Sequence, residues 1–295
     1  MIDLHVHSVY SDGTDTPAEL VRSAVESGVT GLALTDHDTT DGVGEFLNAC
    51  RAAAITGISG IELSCDSLGS DEELHILGYG LDPTHPLVVK AANWAKEKRE
   101  ERNRRIVAKL NELGFPLTWE EVLEQTETGV VGRPHIASAL LARKVVTDIK
   151  QAFSLYLAKG KLAYQEREYM APQEGIEMIH AAGGVAVIAH PFLWLKDSHE
   201  LESGLRKLKA MGADGVEVRY SAHTSEQMME LLRMAGEIGF FPTGGSDYHG
   251  TRKKDIKIGC GFGSLCVPDD YLNAIFRGVR ATENPFVVLG QQVKV

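Results

Sequence analysis

The chain has 295 residues, with 41 acidic and 30 basic side chains, 11 histidines and a formal net charge of −11. That balance excludes a protein that coats nucleic acid by bulk electrostatics, since phosphates are repelled, and 43% hydrophobic with 24% charged residues excludes a disordered chain. The start MIDLHVHS lacks the basic and apolar regions of a signal peptide, and no apolar run reaches the ~20 residues of a bilayer span. Cys50, Cys65, Cys260 and Cys266 form no C-x-x-C pair, so a cytoplasmic protein without a membrane partner is expected.

Ile2–Val6 reads as the first strand. A helix follows over Thr16–Gly28, with Thr16 suited to the N-cap, Pro17 to the first helical position, Glu19 to the first turn and Gly28 to the end. Gly31–Thr35 is a second buried strand, Gly44 to about Ala54 a second helix, and Ile58–Ser64 and Leu74–Gly80 two further strands. From Leu87 to Tyr169 only helical pattern is found, which marks residues 91–170 as a helical insertion or lid between two core segments, 1–90 and 171–295. Strand–helix alternation then resumes: Glu174–Ala182 helix, Val185–Ala189 strand, Leu201–Met211 helix, Gly215–Val218 strand, Ser225–Ile238 helix and Phe241–Gly245 strand. Alternating elements predict a parallel α/β architecture, and seven strands suit a distorted seven-stranded (β/α)7 barrel.

The ends of those strands carry the chemistry. His5 and His7 stand at i and i+2, so both imidazoles face one space. Asp12 follows in a Ser-Asp-Gly turn. The second strand runs into Thr35-Asp36-His37-Asp38, the third holds Glu62, and His75 sits in the fourth. The fifth ends in Ala189-His190-Pro191, and the last runs into Ser246-Asp247-Tyr248-His249. Six histidines and three carboxylates thus fall at one face, the face where α/β barrels build active sites. Mixed imidazole and carboxylate donors suit Zn, Mn or Fe better than Ca or Mg alone. Nine donors are about right for three four- or five-coordinate ions when one carboxylate bridges.

This set resembles the PHP (polymerase and histidinol phosphatase) family: HxH on the first strand, TDH on the second, Glu on the third, His on the fourth, an HP dipeptide, and SDxH on the last. The segment Gly132–His135 (GRPH), Gly160-Lys161 with Tyr164, and Gly215–Val218 with His223 are similar to one subgroup of that family, which hydrolyses nucleoside 3',5'-bisphosphates and in part trims short 5'-phosphorylated RNA. The resemblance implies two to three divalent ions, Mn, Zn or Fe with Mg as an option. His5, His7, Glu62 and Asp247 would hold the first, bridging Glu62 with His75 and His190 the second, and Asp12, His37 and His249 the third. Asp12 departs from the histidine common at this position in the family, which favours Mn or Mg there.

Ions about 3.5–4 Å apart acidify water and clamp a phosphoryl group for in-line displacement. Asp247, His37 and His223 are the candidates for moving the proton. Substrate contacts are expected from Arg133, His135, Lys161 and His223; Pro134 opens a helix whose N–H groups, with the Arg133 guanidinium, suit a second phosphate. His135 and His223 have structural readings as well, and Lys161 could be a solvated turn lysine. The run Lys96–Arg105, six basic and three acidic residues, reads as a solvated helix face, with guidance of an RNA tail as its functional alternative. The expected partner is a nucleotide or short oligoribonucleotide, with no stable protein partner. Histidinol phosphate is the alternative substrate, and a non-catalytic module that binds nucleotide or a polymerase is the alternative of another class.

Overall fold

The computed structural model describes residues 1–126 and 131–290; the last five residues of the expected core range, 291–295, lie outside it. Its strands are β1 (Ile2–Val6), β2 (Gly31–Leu34), β3 (Thr56–Ile58), β4 (Gly60–Cys65), β5 (Leu74–Tyr79), β6 (Val185–Ile188), β7 (Gly215–Tyr220), β8 (Phe241–Gly245) and β9 (Val287–Val288). They form two mixed sheets, ordered β1-β2-β3-β9 and β4-β5-β6-β7-β8. Helices pack outside them, so the architecture is α/β.

Two expectations need correction. The third strand, expected as Ile58–Ser64, is two strands in different sheets, broken at Ser59. Gly60 starts the second sheet where a Cβ would stand 2.5 Å from the Leu34 carbonyl oxygen, so only glycine lets the backbones approach this closely. The strands are also not all parallel: β5 runs antiparallel to both β4 and β6. The connection from β4 to β5, residues 66–73, is too short for a parallel crossover, which needs a dozen or more residues.

Among the described residues the sheets do not close into one continuous ladder. They meet at two seams of isolated bridges. At one seam the Tyr248 carbonyl accepts the His7 N–H at 2.9 Å and the His5 carbonyl accepts the Asp247 N–H at 2.8 Å. At the other, Asp36 O accepts the Glu62 N–H at 3.0 Å and Glu62 O accepts the Asp38 N–H at 2.9 Å. Leu4 and Ala33 of the first sheet share one buried cluster with Leu77, Tyr79 and Val187 of the second, and the Tyr79 hydroxyl donates to Leu4 O at 2.8 Å. Burying Leu4, Leu77 and Val187 contributes roughly 1.5–3 kcal/mol each, which holds the two sheets together.

The first helix forms as its sequence predicts. Thr16 Oγ1 accepts the Glu19 N–H, Glu19 accepts the Thr16 N–H at 2.9 Å, and Gly28 takes the left-handed φ of +72° just past the end. Between β5 and β6 the described residues are helical, chiefly Pro86–Glu112, Trp119–Leu123 and Arg133–Ala142. The first of these runs unbroken across residue 91. Ile106, Leu110, Val122, Ile136 and Leu140 form a hydrophobic cluster of their own there. Among the described residues no helix is long and apolar enough to cross a membrane.

Candidate metal centre

All nine side chains expected as ligands converge where the two sheets meet. Glu62, on β4 and 1% exposed, is the hub. Its Oε1 lies 2.8 Å from His75 Nδ1 and 2.9 Å from His190 Nε2. Its Oε2 lies 3.0 Å from His37 Nδ1, 3.3 Å from His7 Nε2 and 3.4 Å from His5 Nε2. Asp247 Oδ1 stands 3.3 Å from both His7 Nε2 and His249 Nδ1 and 3.8 Å from His5 Nε2. Asp12 Oδ1 stands 3.3 Å from His249 Nε2 and 4.0 Å from His37 Nε2. Backbone strain aims two of these groups: His190 and Asp247 have φ of +26° and +57°. Gly13 places Asp12, since a Cβ there would meet the His7 carbonyl.

A cation fits this donor set. His5 Nε2, both His7 ring nitrogens, His37 Nδ1, Glu62 Oε2 and His190 Nδ1 are buried without a hydrogen-bond partner. Each orphaned group costs about 1–3 kcal/mol, so their concentration at one point needs an occupant, and imidazole with carboxylate is a ligand set for Zn, Mn or Fe. Four sets of donor atoms lie close enough to surround an ion: His7, Asp12, His37 and His249; His5, His7 and Asp247; His5, Glu62 and His190; and His37, Glu62 and His75.

An outer ring that sequence reading missed holds the inner one. Glu217, fully buried on β7, lies 3.0 Å from His5 Nδ1 and accepts the His190 N–H at 2.7 Å. Asp3 accepts the backbone N–H groups of Ser246 and Gly259 at 2.8 and 2.7 Å. Asp36 accepts from the Ser8 N–H and from the Ser8 and Ser11 hydroxyls. Tyr220 and Lys253 both donate to Asp247 Oδ2. The available signal was an acid at an inward position of an otherwise apolar strand: Asp3 in IDLHV and Glu217 in GVEV.

The charges are mutually supporting. Burial works against ionisation of Glu62, but the His37, His75 and His5 imidazoles outweigh it and hold the carboxyl well below its usual range. Burial likewise opposes the charge on His75, yet Glu62 and Glu73 push it up to about 10. Without a cation the His75 ring therefore holds a proton at neutral pH, and a divalent ion competes with that proton.

The substrate-side expectations have mixed outcomes in position. The His223 ring lies 5.1 Å from that of Tyr220, its Nδ1 donates to Val218 O at 3.0 Å, its Nε2 is buried without a partner, and burial lowers its pKa. Arg133 Nη2 pairs with Glu73 Oε1 at 2.8 Å. His135 Nδ1 accepts the Gly132 N–H at 2.8 Å, and burial, with Arg252 and Arg99 nearby, pushes its pKa down to about 4. Lys161 is exposed on a turn closed by its N–H to Ala158 O at 3.0 Å. The run Lys96–Arg105 is not a uniformly solvated face, which corrects the expectation. Arg99, with Arg167, binds buried Asp38, and Arg102 is 3% exposed. The packed stripe Val88–Ala91–Ala95 continues at helical spacing through Arg99 and Arg102 to Ile106.

Residues 3–166 match the sequence profile of the PHP domain. The chain is 37% identical over 247 residues to a 5'-3' exoribonuclease of Haemophilus influenzae, aligning 84% of this chain with 89% of that one. It is 32% identical over 249 residues to a 3',5'-nucleoside bisphosphate phosphatase of Chromobacterium violaceum, with 84% and 87% aligned. A solved structure from Bifidobacterium adolescentis, provisionally described as a metal-dependent phosphoesterase, superposes with a TM-score of 0.84 at 32% identity, covering 94% of this chain and 95% of that one.

Proposed function

The chain belongs to the PHP domain family, and from that premise we propose that it removes the 3'-phosphate from nucleoside 3',5'-bisphosphates in the cytoplasm, where its four free cysteines suit a reducing medium. In this reading the two sheets, bridged at both seams, act as a distorted (β/α)7 barrel. Residues 1–90 and 171 onward form the core, and residues 91–170 form the insertion that meets the substrate.

His5, His7, Glu62 and Asp247 would hold one divalent ion, Glu62 with His75 and His190 a second, and Asp12, His37 and His249 a third. Bound there, divalent cations lower the pKa of water and neutralise phosphoryl oxygens. The chain's own part is positioning. Glu62 turns one oxygen to His75 and His190 and the other to His5, His7 and His37, so it would contribute to more than one of these donor sets. Glu217 fixes the His5 ring, and Tyr220 with Lys253 fixes Asp247, so the inner ligands are aimed before an ion arrives. Asp247 is held by Tyr220 and Lys253, and both His37 ring nitrogens face carboxylates, whereas among the described residues His223 Nε2 faces none. We assign this Nε2, the accepting nitrogen of the ring while Nδ1 donates to Val218 O, to taking a proton from the attacking water and passing it to the departing 3'-oxygen.

Arg133, at the start of its helix, takes the second phosphate. His135 serves it indirectly by tying down the Gly132 N–H, and Lys161 guides anions from solvent. Short 5'-phosphorylated RNA presents the same pair of groups, a 5'-phosphate and a 3'-phosphoester, which extends the activity to 5'-end trimming.

The observation that carries this reading is nine convergent donors around Glu62, seven of them buried and His37 and His75 half-buried, with a guanidinium-rich face, Arg99, Arg102, Arg133 and Arg167, beside them. The Mn-loaded protein given adenosine 3',5'-bisphosphate should release inorganic phosphate and adenosine 5'-monophosphate. Far faster turnover of histidinol phosphate would move the substrate, and metal retention without turnover of any phosphoester would leave a binding module.

A further inference from the structure

Four arginines crowd one side of the site, and two carboxylates answer them. Arg99 and Arg167 share Asp38, which is sealed at 4% exposure. Among the described residues Arg102 donates to the Asn103 amide oxygen alone, from Nε at 3.3 Å and Nη2 at 3.2 Å. Arg133 has Glu73, whose side chain is 28% exposed. The two carboxylates therefore differ: one is locked inside the protein, and the other can be reached by a solute.

Glu73 is held by groups from three segments. Its Oε1 accepts from Arg133 at 2.8 Å and from the Tyr169 hydroxyl at 2.8 Å, and its Oε2 lies 3.4 Å from His75 Nε2. The Arg167 guanidinium stacks 4.6 Å from the Tyr169 ring centroid, which steadies the tyrosine. One carboxylate thus fills the donors that an anion entering beside the metal centre would use.

We infer that Glu73 is a built-in competitor anion: it occupies Arg133 and Tyr169 until a substrate phosphate displaces it, and so sets which anions this site admits. The inference rests on the proposed role of Arg133. A phosphate carries close to two charges and three acceptor oxygens, against one charge and two oxygens for Glu73, so it wins the exchange. Weak inorganic anions do not, which keeps the subsite clear of them. Glu73 is then a specificity-determining residue.

The test is calorimetric titration of sulfate into metal-loaded wild type, E73Q and the double variant E73Q/R133M, with metal content measured on each. E73Q should bind sulfate roughly tenfold tighter than wild type, the difference expected when a charge-assisted competitor is removed, and the double variant should lose that gain. E73D keeps the charge but draws the carboxylate one methylene back from Arg133 and Tyr169, weakening the competitor while leaving both donors in place, and should tighten sulfate by roughly threefold; it carries the test if E73Q does not fold. Sulfate affinity unchanged in E73Q or, where E73Q cannot be made, in E73D overturns the inference. A gain that survives R133M overturns it too, as does metal loss from E73Q without tighter sulfate, which would leave Glu73 merely orienting His75. Sulfate is not turned over, so these outcomes leave the phosphatase reading standing, whereas an inactive wild type fails that reading whatever sulfate does.

Discussion

The strand-end cluster and the arginine face of the helices look onto the same space but are held in opposite ways. Around Glu62 the imidazoles and carboxylates sit on strands or a few residues beyond their ends, with short side chains and with outer partners such as Glu217 and Asp3 already in place. Arg99, Arg102, Arg133 and Arg167 arrive from helices and a connecting segment through long, rotatable side chains that share two carboxylates. The first region is built for fixed geometry, as metal coordination requires. The second is built for charge, which tolerates exchange of partners. Mutations should therefore fall steeply on one side and gently on the other.

The steepest fall belongs to Glu62. E62A removes the one group facing five imidazoles, so two ions should be lost by elemental analysis and kcat/KM should drop by about 10³-fold or more. If ion content and turnover both survived, the shared cluster would not exist. E217Q comes next, because it leaves every direct donor in place and changes only the group behind His5 and His190. Metal affinity, read by competition with a chelator, should fall about 10–100-fold. No change would mean that the outer ring does not pre-aim the inner one, and the contrast between the regions would narrow.

A gentler test uses pH. Without cations, His75 has its pKa raised from 6.5 to about 10 by Glu62 and Glu73 against the opposing effect of burial. The folded protein then binds more protons than the unfolded chain between those values, so this contribution is full below pH 6.5 and disappears as pH rises toward 10. Glu62, held low, contributes above its ordinary carboxylate range and loses that contribution only in acid. The Tm of the metal-free protein should therefore decline from pH 6.5 to 10, and added Mn should reverse the slope, since an ion replaces the protons. A metal-free Tm that rises over that window would show that the imidazoles are not charged by the cluster.

How much of this the sequence disclosed follows the same division. His5-x-His7, Asp36-His37, His190-Pro191 and Asp247-x-His249 are legible because strand alternation fixes which way a side chain points once the strand is placed. The break at Ser59–Gly60 is not, because a Ser-Gly pair inside Ile58–Ser64 (ISGIELS) reads as readily as a bulge within one strand as it does as a break, and only the parting of two sheets decides between them. The reversal of β5 was within reach, since residues 66–73 are too few for a crossover. Glu217 and Asp3 were overlooked because an acid within a strand has no local signature of its partner. Arg99 and Arg102 were hidden in a charge run, where tertiary packing alone decides which residues turn inward.

Lys161→Ala is the mildest change and the one that sharpens the contrast most. Lys161 is exposed on a turn, and no bond fixes its side chain among the described residues. An unpaired surface ammonium is worth at most about 1 kcal/mol, so KM for adenosine 3',5'-bisphosphate should rise no more than roughly fivefold, with kcat unchanged. The effect should shrink further between low salt and about 0.15 M, where the screening length falls to ~8 Å. A steady-state comparison at two ionic strengths checks both points. A loss that reached tenfold or more and persisted in salt would mean that Lys161 is drawn against a desolvated phosphate when substrate binds. The helical side would then close into a geometry as exacting as that around Glu62, and the division between a fixed region and an adjustable one would hold only for the empty site.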